Sequence, residues 1–242
     1  MYINSIQVDW ERVPEASAYP FALAAVKGLG KLSPDTGVTY FVGENGSGKS
    51  TLLEGIATAW GLNAEGGSRN FRFSTRDSHS DLGEYPRIAK SASRPNDAFF
   101  LRAESFYNVA TEIEQLGVGH YFGGRPLHDQ SHGESFLALF LQRLHGRGLY
   151  IFDEPEAALS PLRQMAVLAR IHELVKEECQ FIIATHSPII LAYPGALILE
   201  VSADGVKPTT YAETETYRVM HDFVVRPDRS VRALLGALES GI

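Results

Sequence analysis

Lys49, Ser50, Asp153, Glu154 and His186 are the residues whose types and settings suit chemistry on a polyphosphate. The first two close the run Gly43-Glu44-Asn45-Gly46-Ser47-Gly48-Lys49-Ser50-Thr51, which fits G-x-x-x-x-G-K-[ST], the phosphate-binding loop. Glycines let such a loop bend and turn its N–H groups inward. The helix that follows adds partial positive charge. Residues 43–51 are therefore expected to hold the nucleotide, with Lys49 at the β- and γ-phosphates and Ser50 on Mg²⁺. Asp153 and Glu154 end the apolar run Leu149-Tyr150-Ile151-Phe152 and precede Pro155. An aspartate there can hold Mg²⁺ through its water shell, as in a Walker B motif. A carboxylate one step on can polarise an attacking water within hydrogen-bond reach. His186 sits in the polar turn after Phe181-Ile182-Ile183-Ala184, where an imidazole can donate to a γ-phosphate or position that water. The set points to triphosphate hydrolysis, with Glu154, His186 and Lys49 as the catalytic groups. No N-K-x-D segment occurs, which argues against guanine.

These groups must be positioned by the elements around them. Thr39-Tyr40-Phe41-Val42 reads as a buried strand and 49–60 as a helix, the context the glycine loop needs. Further strands are expected at residues 3–9, 98–101, 148–152, 181–184 and 197–199, with another over Phe21–Val26. Helices are expected over 105–115, capped by Ser105, over the apolar stretch 134–145, and after Ser160-Pro161, where serine caps and proline opens the first turn. In that last helix Leu162, Met165, Leu168, Ile171 and Leu174 recur every three residues. Residues 116–130 read as a glycine-rich loop, and 214–238 as two helices parted at Arg226-Pro227-Asp228. Strands alternating with helices predict an α/β fold. Its central sheet is mostly parallel and flanked by helices, with an N-terminal antiparallel β portion and a small peripheral lobe. The whole of 1–242 is expected to form a single domain, with lobes at 61–97 and 105–147 and C-terminal helices at 213–242.

Composition narrows the function classes. The chain has 242 residues, 44% of them hydrophobic, a net charge of −7 and one cysteine, Cys179. There is no global basic field for nucleic acid and no intrachain disulfide or multi-cysteine zinc site. No signal peptide and no spanning run is visible, so a cytoplasmic protein without direct membrane insertion is expected. A local basic excess occurs at Arg69, Arg72, Arg76, Arg87, Lys90 and Arg94, opposed by Asp77, Asp81 and Glu84. It reads as a solvated face, or as a surface for DNA. His128 and His132 fall in a loop, and no H-E-x-x-H occurs, so no metalloenzyme is expected.

Ser131-His132-Gly133-Glu134 opens the apolar helix. Here the sequence resembles the ABC-type ATPases, whose signature reads S-G-G-Q. Ser131, Gly133 and Glu134 match its serine, second glycine and glutamine, and His132 departs from its first glycine. Asp153-Glu154-Pro155-Glu156 with Ala157 and Leu159 looks closer to the SMC-, RecF- and OLD-like branch than to transporters. The nearest likeness is to short bacterial AAA-family ATPases without coiled-coil arms. The resemblance implies ATP and Mg²⁺ as cofactors. It also implies a head-to-tail homodimer in which Ser131, Gly133 and Glu134 contact the γ-phosphate held by the other subunit. At the Q-loop position Glu104 replaces glutamine, which implies a carboxylate near Mg²⁺. Tyr19 and Phe21 are candidates for adenine stacking, although a place in the core suits either better. The expected role is ATP hydrolysis serving DNA maintenance or defence, with DNA or a partner effector protein engaged. The alternatives are the ATP-binding subunit of an ABC transporter and a non-hydrolysing nucleotide switch.

Overall fold

The computed structural model describes residues 1–67, 81–103 and 132–239. Its central sheet is built from β2 (Val38–Val42), β4 (Asp97–Arg102), β5 (Gly148–Asp153), β6 (Gln180–Ala184), β7 (Leu197–Ser202) and β8 (Gly205–Thr209), in the order β4-β5-β6-β2-β7-β8. All neighbours are parallel except β8, which returns antiparallel on β7. A separate antiparallel pair joins β1 (Ile3–Val8) to β3 (Pro86–Lys90).

The parallel strands are apolar along most of their length, with charged residues chiefly at their ends, because both faces are covered. Tyr40, Phe99, Phe152 and Phe181 point to one face, packed with Phe136 and Phe140 of α3 (His132–Ala138) and its π-helical extension Leu139–Arg143. Val167, Ile171 and Leu174 of α4 (Pro161–Lys176) complete that layer. Phe41, Phe100, Ile151 and Ile182 point the other way, onto Leu52, Leu53 and Ile56 of α2 (Lys49–Trp60). Period-two alternation between two hydrophobic layers locks the register, because a one-residue slip would exchange the faces. The carboxyl ends of β2, β5 and β6 are thereby fixed side by side.

Several sequence expectations change. The strand expected over Phe21–Val26 is a single helical turn, α1 (Ala24–Lys27). A short apolar run does not distinguish the two states, and Ala24-Ala25 favours helix. The three-residue repeat in α4 is not its buried stripe, for Leu162 is 75% and Met165 57% exposed. On a helix of 3.6 residues per turn a strict three-residue step drifts about 60° per repeat, so it cannot stay on one face. Ser160 takes the N-cap position and Pro161 opens the helix, but the serine hydroxyl makes no capping bond. The apolar helix expected over 134–145 ends by Arg143, with Leu144 extended.

Two strands carried weaker signals. Strand β8 follows the turn Ala203-Asp204, and the Asp204-Gly205 pair (φ +106° at Gly205) is a hairpin marker. Strand β3 lies inside the stretch read as a basic lobe. There Arg87 pairs with Asp9 at 2.7 Å and Lys90 lies over the Trp60 ring, so two of those cations serve the fold. The C-terminal helices are α5 (Glu215–Val225), capped by the Thr214 hydroxyl, and α6 (Pro227–Glu239). Arg69, Arg72, Arg76, Asp77, Glu104, the helix expected over 105–115, the loop 116–130 with His128, and Ser131 lie outside the described residues.

Candidate functional site

Strand β2 delivers the chain into the glycine loop at its carboxyl end. Gly43, Gly46 and Gly48 have φ of +141°, +80° and +96°. At Gly43 a Cβ would also fall 2.2 Å from the Val201 carbonyl oxygen, so no other residue fits there without moving β7. Gly48 then starts α2 as its N-cap with no side chain to cap it, and the first intrahelical bond is from Leu52 N–H to Gly48 O. The preceding N–H groups, of Lys49, Ser50 and Thr51, thus lack helical partners and are free for an anion at the helix start. The side chain of Lys49 folds back across the loop. Its amine donates to the carbonyls of Gly43 and Glu44, each at 2.7 Å. Lys49 is only 4% exposed, and burial holds its pKa below the ordinary lysine range against the pull of Glu154, Asp153 and Glu156.

Strand β5 brings Asp153 to this loop. Ser50 Oγ donates to Asp153 Oδ1 at 3.1 Å, and Asp153 is buried. On its other side lies Arg102 of β4, whose Nε is 3.8 Å from Asp153 Oδ2 and whose Nη1 donates to Glu54 at 2.9 Å. Two hard oxygen donors so placed suit a magnesium ion.

The turn after β5 is unusual. Glu154 has φ +51°, a left-handed conformation on a residue that precedes proline. Its N–H donates to Ala184 O at 2.9 Å, tying the turn to the end of β6. Left-handed backbone on a residue with a side chain costs on the order of 1 kcal/mol or more and persists where the surroundings over-determine it. Here it aims the carboxylate at the histidine: Glu154 Oε1 lies 3.7 Å from His186 Nε2. That nitrogen is buried and has no hydrogen-bond partner among the described residues. Burial, followed by the Lys49 charge, lowers the His186 pKa, and Glu154 opposes the shift, so the imidazole is neutral at pH 7.

In the sequence Glu156 stands out only as part of the run Asp153-Glu154-Pro155-Glu156. Its Oε1 accepts the backbone N–H of His186 at 2.5 Å. This bond fixes the histidine turn to the carboxylate turn. The signal was the acid two residues past Glu154, next to a turn that needs an acceptor. Replacing Glu156 by alanine leaves that N–H unpaired and is expected to cost about 1–3 kcal/mol of stability. Turnover should fall roughly tenfold with little change in ATP affinity, because the imidazole loses its orientation. Denaturant unfolding and steady-state kinetics check both effects; unchanged turnover would remove the positioning role.

Gly133 and Glu134 take a different place. Gly133 packs so tightly that a Cβ would meet Arg163 Nη1 at 2.4 Å and the Ala158 carbonyl at 2.6 Å. Glu134 pairs with Arg163 at 3.6 Å. The start of α3 is therefore seated on the segment after Glu154 and on the first turn of α4. Of the adenine candidates, Phe21 is core, edge-on to Tyr85, whereas Tyr19 is exposed.

Two clefts border the loop. One of about 450 Å³ is lined by Asn45, Gly46 and Ser47 with Leu23 and Ser202. The other, of about 240 Å³, is lined by Gly43, Glu44 and His186 with Thr214, Thr216 and Val219 of the C-terminal segment. No local pattern in the sequence places α5 at this cleft.

Comparison with known proteins follows the same lines. A family model described as "AAA domain" matches residues 27–109. Another, described as "AAA domain, putative AbiEii toxin, Type IV TA system", matches residues 123–192. The ABC transporter G family member STR2 of Medicago truncatula is 26% identical over 176 residues, which cover 64% of this chain. The match takes in only 24% of that relative's length. Among solved structures, CbiO1 of Clostridium perfringens, described as part of the ABC transporter complex cbiONQ, is similar with a TM-score of 0.50 at 16% identity. The likeness covers 95% of this chain and 98% of that one. The SMC head domain from Thermotoga maritima is similar with a TM-score of 0.43 at 17% identity, covering 74% and 93%. No helix among the described residues is long and apolar enough to cross a membrane. Two AAA-domain models thus match separate parts of this chain, and its mostly parallel sheet, with a glycine loop at the end of β2, has the α/β fold seen in CbiO1.

Proposed function

We propose that the chain binds ATP with Mg²⁺ and hydrolyses it to ADP and phosphate, working as a head-to-tail homodimer in DNA maintenance or defence. The observation that carries this reading is the convergence at one sheet edge. Ser50 and Asp153 share a hydrogen bond of 3.1 Å, and Glu154 lies 3.7 Å from an unpartnered His186 nitrogen. Residues 43–51 bind the phosphates through backbone N–H groups. Lys49 exchanges its two carbonyl partners for β- and γ-phosphate oxygens. Ser50 and, through water, Asp153 hold the metal, and Glu104 is a further carboxylate for its shell. When bound, Mg²⁺ would supply positive charge against the charge that develops on the β- and γ-phosphates. Glu154 accepts the proton of the attacking water, and His186 donates from Nε2 to the γ-phosphate. Ser131, Gly133 and Glu134 present a helix start to the nucleotide of the partner.

Defence is supported by the toxin–antitoxin description of the family matched at 123–192 and by the Asp153-Glu154-Pro155-Glu156 wording. A transporter subunit is the second reading, favoured by the STR2 and CbiO1 likenesses. ATP turnover measured with and without double-stranded DNA separates them. Several-fold stimulation by DNA is expected. Turnover indifferent to DNA, in a protein that co-purifies with an integral membrane partner, would favour the transporter. Failure to hydrolyse ATP under any condition would leave only a nucleotide switch.

A further inference from the structure

The C-terminal hairpin of α5 and α6 stands away from the sheet. No residue of α5 is buried, and none of α6 is through Gly236. Its surface is nevertheless apolar. Val219, Phe223 and Val224 on α5 and Val231, Leu234 and Leu235 on α6 are between 38% and 70% exposed. Met220 extends the patch, at 47%. Taking roughly 150–200 Å² for a large side chain in full solvent, these half-exposed groups present about 650 Å². That exceeds the roughly 300–600 Å² patch a typical monomer leaves open. It approaches the ~800 Å² that each partner gives to a stable interface.

We propose that this patch is a self-association surface, on which the hairpins of two copies of the chain pack together as four helices. Its charges identify the occupant. Glu215, Asp222, Asp228 and Glu239 balance Arg218, Arg226, Arg229 and Arg232, while the whole chain carries −7. Two copies repel elsewhere but not here, and acids and arginines mixed along both helices pair across a two-fold axis. A membrane surface would instead select an excess of cations on the polar face, which the hairpin lacks. The first turn of α5 also lines the cleft beside Gly43, Glu44 and His186, so the pairing surface and a wall of the nucleotide cleft belong to one helix.

The test uses the full chain without nucleotide, so its outcome is separate from that of the ATPase reading. Sedimentation velocity at about 10 μM should show a dimer, in line with an interface of this size. The doubly substituted Val224→Glu/Leu234→Glu protein should sediment as a monomer, its dimer dissociation constant raised at least 100-fold. Leu162→Glu, an exposed apolar site on α4 outside the hairpin, should leave the dimer intact. Circular dichroism confirms that each variant is folded, as expected for exposed sites. A monomeric wild type overturns the proposal, as does a dimer that survives the double substitution. A monomeric wild type that co-sediments with anionic phosphatidylserine vesicles would assign the patch to a membrane instead.

Discussion

A Glu154→Gln protein is expected to bind ATP with wild-type affinity and to turn it over about a thousandfold more slowly, the middle of the range for removing a general base. Glutamine keeps the size and hydrogen-bonding reach of the side chain but cannot take a proton. The backbone that aims it is set elsewhere, by the N–H bond to Ala184 O and by the following proline, so the left-handed turn survives. The phosphate loop and the Ser50–Asp153 pair do not touch the substituted carboxylate, so binding persists. At 42% exposure the Glu154 side chain is open to the water it must activate. Stalled before hydrolysis, the variant should also accumulate the nucleotide-bound head-to-tail assembly, read in a Val224→Glu/Leu234→Glu background so that hairpin pairing does not mask it. Single-turnover kinetics and gel filtration with ATP read both effects. Wild-type turnover in this variant would place the base elsewhere, with Glu156 the next carboxylate to examine.

The sequence exposed the chemistry better than the scaffold. Lys49, Ser50, Asp153, Glu154 and His186 were legible because each follows an apolar strand, and parallel strands present their carboxyl ends at one edge. What escaped notice was held by long-range pairing. Strand β3 forms only because β1 offers it an antiparallel partner some eighty residues earlier in the chain. The α1 turn was misread because a six-residue apolar run has too few positions to show a period. The role of Glu156 depends on a backbone N–H from a different strand end, which no local pattern records. Arg102 pairs with Glu54 and approaches Asp153 across two neighbouring strands, again a product of register. The α4 repeat shows the opposite error, a local pattern that packing overrules, since Leu162 and Met165 face away from the core.

Lys49→Ala should lower ATP affinity by about two orders of magnitude or more, because truncating one member of a desolvated charge pair costs about 2–5 kcal/mol. The fold should feel it much less. Removing the amine leaves the Gly43 and Glu44 carbonyls without their donor, at roughly 1–3 kcal/mol for each that stays dry. It also removes a cation whose lowered pKa records how poorly its site solvates it. The two effects oppose each other, so the unfolding free energy should move by less than about 2 kcal/mol while binding collapses. The pH dependence follows from the same shift. Below the folded-state pKa the amine is charged and ready for phosphate. As pH rises through that depressed value the free protein sheds the proton, and ATP must bind with proton uptake. Wild-type affinity should therefore weaken on the alkaline side before ordinary lysines titrate, and the Lys49→Ala protein should lack that decline. Calorimetric titration of ATP at several pH values, with chemical denaturation in parallel, decides the matter. Binding within threefold of wild type would mean that Lys49 is a strut for the glycine loop and that the phosphates are held by backbone N–H groups alone.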